Sequence, residues 1–162
     1  MNSNVFLICG NTYDVDNTVA SIVEKTKSDN IVRIDAEDTS KSSVSEHLLM
    51  GDIFSQIKVV LVRGYPRGAG KDQNYVLNLI PKIPDNNIVI FYSYTSLKKY
   101  KKFYNYMSDE CKFREFNSES RKVSDILIEI FNKNKKTIEK KEADKIADYI
   151  GNNHDAAITE AG

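Results

Sequence analysis

Tryptophan is missing from this sequence, and proline, histidine and cysteine are scarce, with three, two and two in 162 residues. Two cysteines exclude a disulfide scaffold and a structural zinc cluster. Cys9 lies inside the apolar run VFLICG and reads as a small buried hydrophobe. His47 and His154 stand isolated, and no Cys/His or Ser/His/Asp arrangement has a local frame for nucleophilic chemistry. No catalytic residue, metal or cofactor is therefore expected. Long apolar runs are also lacking: no segment approaches the roughly 18 residues that span a bilayer. The opening MNSNVFLICGN has no basic start, and its apolar run is too short for a signal peptide. The expectation is a reduced, cytoplasmic protein. Net charge is absent too, with 23 basic and 23 acidic residues. Bulk charge thus points to neither a nucleic acid nor a membrane surface.

What is present is an ordinary globular composition, 41% hydrophobic and 28% charged. The length suits one domain, or one domain and the beginning of a second. NVFLICG is a continuous apolar run ending in glycine, the pattern of a buried strand. DVDNTVASIVEKTKS places Val15, Val19, Ile22 and Val23 at helical spacing behind acidic residues that suit a helix start. NIVRIDAE is a second strand, TSKSSVSEHLLMG a helix with Ser and Thr caps, and IKVVLVRG a third strand. KDQNYVLNLIPKI predicts a helix ended near Pro81. NNIVIFYSY, SLKKYKKFYNYMS and CKFREFN follow as strand, basic helix and strand.

Strands alternating with helices predict a three-layer α/β domain over 1–117, with a mostly parallel five-stranded sheet. From about residue 118 the pattern turns wholly helical. Val123, Ile126, Leu127 and Ile130 share one face; Ala143, Ile146, Ala147 and Ile150 share another. A third helical pattern begins near His154. Residues 118–162 thus predict a small, truncated helical domain that leaves an apolar face open, as in a fragment of a longer protein or a chain that depends on a partner.

The stretch GYPRGAGKD, 64–72, invites comparison with a phosphate loop. Such a loop needs G-x-x-x-x-G-K-[ST], so that backbone N–H groups wrap the anion, lysine reaches the outer phosphates and a hydroxyl holds magnesium. Here five residues separate Gly64 from Gly70, and Asp72 follows Lys71 where Ser or Thr belongs. The loop also follows the third strand rather than the first. After the first strand, CGNTYDVDN offers one glycine, no lysine and two aspartates. A polar connection is the better reading, and a P-loop-type nucleotide-binding protein using Lys71 is the alternative. Asp35, Glu37 and Asp38 cluster after the second strand, where α/β sites form, but read as a solvated acidic loop.

Two further features bear on binding. Lys98, Lys99, Lys101 and Lys102 interleave with Tyr100, Phe103 and Tyr104. Such a mixture can hold phosphates and stack bases. Leu97, Tyr100, Phe103 and Tyr104 equally have the spacing of a buried helical stripe with lysines turned to water. A nucleic-acid-binding module over 97–104 is therefore a second alternative. The segment MGDIFSQ puts Ile53 and Phe54 between a helix and a strand, among polar neighbours. Read from the residues alone, Phe54 either caps the core beneath the third strand or projects outward.

In order and spacing, these landmarks resemble the N-terminal part of the delta subunit of the bacterial DNA polymerase III clamp loader. FLICGNTYDVDNTV resembles its opening strand and helix, and IVRIDAED its second strand with acidic end. MGDIFSQIKVVLVRG resembles its segment of small residue, apolar residue, Phe, polar link and strand ending in Arg. NNIVIFYSYTSLKKYKKFYNYM, FREFNSES and KKEADKIADYIGNNHDAAITEAG resemble its fourth strand with basic helix, its entry into the helical lid, and the lid's helix–turn–helix. The family's third domain, a helical collar, has no counterpart here.

The resemblance implies a degenerate AAA+/P-loop NTPase-like fold that does not bind ATP. It implies a clamp-binding wedge at Ile53 and Phe54 with Met50 beside it, Ile standing where the family usually has Leu. It makes the chain a noncatalytic part of a DNA polymerase holoenzyme. Its implied partners are the sliding β clamp and the gamma/tau and delta-prime subunits; within such an assembly Lys98, Lys99, Lys101 and Lys102 are candidates for contact with primer–template DNA.

Overall fold

A computed structural model describes residues 2–51, 57–69, 72–116 and 122–151. Five strands form one sheet: β1 (Asn2–Cys9), β2 (Asn30–Asp35), β3 (Lys58–Arg63), β4 (Asn87–Ser93) and β5 (Cys111–Glu115). Their order is β2-β3-β4-β1-β5, and every pairing is parallel. The α/β architecture expected from the alternating pattern is the one observed. Helices α1 (Thr12–Thr26), α2 (Lys41–Leu49) and α3 (Lys101–Glu110) make the crossovers with two 3-10 turns, Tyr75–Asn78 and Ile80–Lys82.

The two-residue period of the strands sorts the core into two layers. Val5, Leu7, Val60, Val62, Val89 and Phe91 face α2, the 3-10 turns and α3, where Val44, Leu48, Val76, Ile80, Phe103 and Met107 cover them. Ile8, Val59, Leu61 and Ile90 face the other way, onto Val15 and Val19 of α1. Both faces are buried, which is why the central strands read as unbroken apolar runs.

Two expectations are corrected. The stretch 71–83 holds no α-helix among its described residues. Pro81 lies in the first turn of the second 3-10 segment and has no N–H to continue an α-helical ladder. In addition, the Tyr65 hydroxyl ties the segment's start to β3 by donating to Gln73 O (2.6 Å). The basic helix also starts late, at Lys101, so Lys98 and Lys99 belong to the turn before it.

The chain divides into two compact units, Met1–Gly10 with Val15–Phe116, and Asn11–Asp14 with Asn117–Gly162. The first holds the sheet. In the second, α4 (Val123–Lys133) and α5 (Lys140–Tyr149) pack through Val123, Leu127, Ala143 and Ala147. Lys140 pairs with Asp125 across them at 2.9 Å. Tyr13 joins Ile126 and Ile130 in a small cluster of the same unit. The third helical pattern, from His154, lies outside the described residues.

Candidate functional site

In a parallel sheet, binding chemistry collects at the carboxyl ends of the strands. After β1 this edge offers acceptors. Gly10 has φ +134°, and a Cβ there would collide with the Phe116 carbonyl oxygen. Only Gly10 and Asn11 separate β1 from α1, too few residues to wrap a phosphate. Asn11 caps the helix: its Oδ1 accepts from Asp14 N (2.9 Å), and its Nδ2 donates to Asp14 Oδ2 (2.8 Å). A carboxylate thus occupies the first turn of α1, where an anion would otherwise be welcome.

After β2, Asp35 is engaged with Arg63 of β3 and accepts from Glu37 N (3.1 Å). The Glu37 N–H and the Arg63 guanidinium hold its carboxyl below the usual range. Asp35 therefore stitches two strand ends together. After β3, Gly64 turns the chain at φ +81°. Asp72 pairs with Lys41 at 2.6 Å. Gly70 and Lys71 lie outside the described residues.

A different feature forms between the ends of β3 and β4. The Tyr65 ring is buried against Tyr100 (centroids 4.4 Å apart) and Phe103 (4.7 Å). Its hydroxyl donates to Gln73 O, with Asn74 Oδ1 also in range at 2.8 Å. Around this aromatic floor runs an open cleft in two adjoining parts, of about 340 and 560 Å³. Tyr65, Arg67, Lys99 and Tyr100 line both parts. Lys101 and Lys102 extend the second, while Ser93, Thr95 and Glu37, the one carboxylate among the described lining residues, belong to the first. The Lys99 ammonium lies 5.1 Å from the Tyr100 ring centroid.

Glu115, at the end of β5, ties down the turn between β4 and α3, from which Thr95, Leu97 and Lys99 reach the cleft. It accepts from Ser96 Oγ (2.7 Å) and Tyr104 OH (2.8 Å) and pairs with Lys98 (3.0 Å). Burial works to raise its carboxyl, but these three donors outweigh it and hold the group below the usual range. Burial, then the bond to Glu115, pushes the Tyr104 hydroxyl up to about 12. Burial, then the Glu115 charge, pushes the Cys9 thiol up to about 11, which matches its reading as an inert core residue. The expectation of a buried stripe with lysines turned to water is met in part. Leu97, Phe103 and Met107 are buried as an amphipathic stripe. Lys98 is spent on Glu115, whereas Lys99, Lys101 and Lys102 line the cleft.

The junction between α2 and β3 is the other candidate. Met50, just past the helix, is 58% exposed. The carbonyls around it are held from below. Lys58 is only 7% exposed and donates Nζ to His47 O (2.9 Å) and Met50 O (2.8 Å). Asn87, fully buried, donates Nδ2 to Leu48 O (3.0 Å) and Met50 O (3.3 Å). A lysine at a helix C-terminus complements the dipole. Ile53 and Phe54 lie outside the described residues.

Sequence reasoning missed Tyr65, Arg67, Lys58 and Glu115. Lys58 carried a faint signal as a charge at the start of an otherwise apolar run, Val59–Val62. Arg67 carried none, because it meets Lys99 only once β3 and β4 pair. Among the described residues, no group of three or more His, Cys, Asp or Glu could hold a metal ion.

No protein-family model and no curated protein matches the sequence. Among solved structures, the chain is similar to the Bacillus subtilis DNA clamp loader delta protein YqeN. The TM-score is 0.60 and the identity 16%, over 89% of this chain and 47% of that one. The chain thus spans about half the length of that protein. At this identity the likeness is one of fold: the five-stranded parallel sheet with helices on both faces is an architecture that a clamp loader delta protein also has.

Proposed function

We propose that this chain is a clamp-loader-related interaction subunit that grips a sliding β clamp at the α2–β3 junction. Met50, Ile53 and Phe54 form the grip, and the chain hydrolyses no ATP itself. The observation that carries the reading is Met50, exposed at a helix end whose carbonyls are held by buried Lys58 and Asn87. A docking segment gains affinity when its root is fixed before binding. Burying Ile53 and Phe54 in a partner's pocket contributes roughly 1.5–3 kcal/mol each. Met50 adds an adaptable contact.

Ring opening then follows from tighter binding to the open clamp than to the closed one. Hydrolysis belongs to gamma/tau subunits, with delta-prime completing the assembly, in the cytoplasm. Asp14 in the first turn of α1 supports the absence of a triphosphate site. No helix among the described residues is long and apolar enough to cross a membrane.

The test is capture of the purified cognate β clamp by the chain and by its Phe54→Ala variant. Wild type is expected to retain the clamp and the variant to lose it. Equal retention by both overturns the site, and no retention by wild type overturns the reading. Melting with Mg-ATP tests the alternative: no rise is expected, and a rise that Lys71→Ala abolishes would favour a nucleotide-binding protein.

A further inference from the structure

We infer that Met50 is a redox-sensitive modification site: peroxide converts its thioether to the sulfoxide and so loosens the hold of the α2–β3 junction on its partner. The inference rests on the clamp-docking reading and adds a reversible control of that same site.

The chain has three methionines. Met1 lies outside the described residues. Met107 is fully buried, in the core cluster that also holds Phe91 and Phe103. Met50 is 58% exposed. Oxidation of a thioether needs contact between sulfur and oxidant, so access decides which side chain reacts. Nor can Met50 withdraw into the fold. Its N–H donates to Glu46 O (2.8 Å), and its carbonyl accepts from Lys58 Nζ (2.8 Å) and Asn87 Nδ2 (3.3 Å). Both backbone groups are tied to the protein, and the side chain is left to water. Cys9 and Cys111 are buried and offer peroxide no competing thiol.

The step balances with hydrogen peroxide as oxidant. A sulfur lone pair attacks one peroxide oxygen and the O–O bond breaks. The other oxygen takes the proton of the first and leaves as water. The thioether gives up two electrons and the peroxide accepts them. The product replaces a flexible apolar side chain by a polar, chiral one. Its oxygen resists transfer into an apolar pocket that supplies no donor. Methionine sulfoxide reductases, one for each epimer, restore the thioether.

The test exposes the full chain alone to hydrogen peroxide, quenches with catalase, and titrates it against the purified cognate β clamp, whose own methionines stay reduced. Peptide mass spectrometry is expected to find Met50 oxidised and Met107 reduced. Clamp affinity is expected to fall at least about tenfold, the loss of one buried methionine side chain, and to return after treatment with both reductases. Met50→Leu lacks the sulfur. Whatever its own affinity, peroxide is expected to leave it unchanged, which also separates Met50 from Met1. Met107 oxidised as fast as Met50, an affinity unaltered by oxidation, or equal peroxide sensitivity in Met50→Leu would overturn the inference alone. No retention of the clamp by the untreated chain would overturn the docking reading, and this control with it.

Discussion

Replacing Glu115 by Gln tests how the turn before α3 is held. Three strong donors converge on this carboxylate, Ser96 Oγ, Tyr104 OH and Lys98 Nζ, with the Cys9 thiol a weak fourth at 4.0 Å. Gln keeps the shape and one acceptor oxygen but removes the charge. The Lys98 side chain is 65% exposed, so its ion pair contributes only about 0–1 kcal/mol. A hydrogen bond to a charged acceptor is worth roughly 1 kcal/mol more than one to a neutral acceptor. Applied to Ser96 and Tyr104, with the discounted ion pair, this gives a loss of about 2–3 kcal/mol at pH 7. For a chain of this size the melting temperature falls by about 4–12 °C.

The pH dependence gives the prediction its edge. The Glu115 carboxyl is held below the usual range in the fold, so the unfolded chain binds its proton first as pH drops. Its contribution is fully present above the ordinary carboxylate range, near pH 4.5, and is lost as pH falls through the folded value. A protonated Glu and a Gln are nearly isosteric. Urea unfolding of both proteins at pH 7 and at about pH 3 should therefore show a gap that closes on acidification. Other carboxylates titrate in both proteins and cancel. A gap of equal size at both pH values would refute the argument, since it would mean that the charge of Glu115 does not hold the turn.

Two further substitutions probe the sheet edge. Lys58→Met keeps the buried stem but removes donations to His47 O and Met50 O, and should cost about 2–4 kcal/mol in urea unfolding, with faster amide exchange at the end of α2. Gly10→Ala meets the Phe116 carbonyl at a φ of +134°, so thermal unfolding should show a loss of at least about 2 kcal/mol.

Strands were the legible part of this fold. VFLICG, IKVVLVRG and NIVIFYSY read correctly because burial on both faces leaves no room for polar alternation. Element ends were less legible, since partners distant in sequence decide them. Asn11 and Asp14 cap α1 together and start it at Thr12, ahead of the acidic residues that predicted it. Ser96 and Lys98 are drawn to Glu115, which leaves α3 to begin at Lys101. Of the stripe read from spacing, Leu97 and Phe103 are buried, Tyr100 and Tyr104 are half-buried, and Met107 joins them without having been read. The cleft was not, because Arg67 and Lys99 lie on loops of different strands and become neighbours only through the β3–β4 register. Lys58 looks like an error in an apolar strand until the α2 carbonyls above it are known.

The strand order explains why one edge can lose an anion site after β1 and carry cations elsewhere. β4 lies between β3 and β1, so the connections after β1 and after β3 leave the edge on either side of it. Each connection is a loop whose sequence is free so long as its strand keeps register. Along β3 and β4 that register runs unbroken from Lys58 opposite Asn87 to Arg63 opposite Tyr92. Placing a carboxylate in the first turn of α1 therefore costs the sheet nothing. Gathering Arg67 with Lys99 and its neighbours also costs little, because all four remain in water and keep their hydration until an anion arrives. The energetic demand falls on the aromatic floor, where Tyr65 surrenders its hydroxyl to Gln73 and packs against Phe103. That floor belongs to the hydrophobic core itself. Only the floor of the cleft shares the packing of the core; the cations above it are exposed side chains on the flanking loop and helix start.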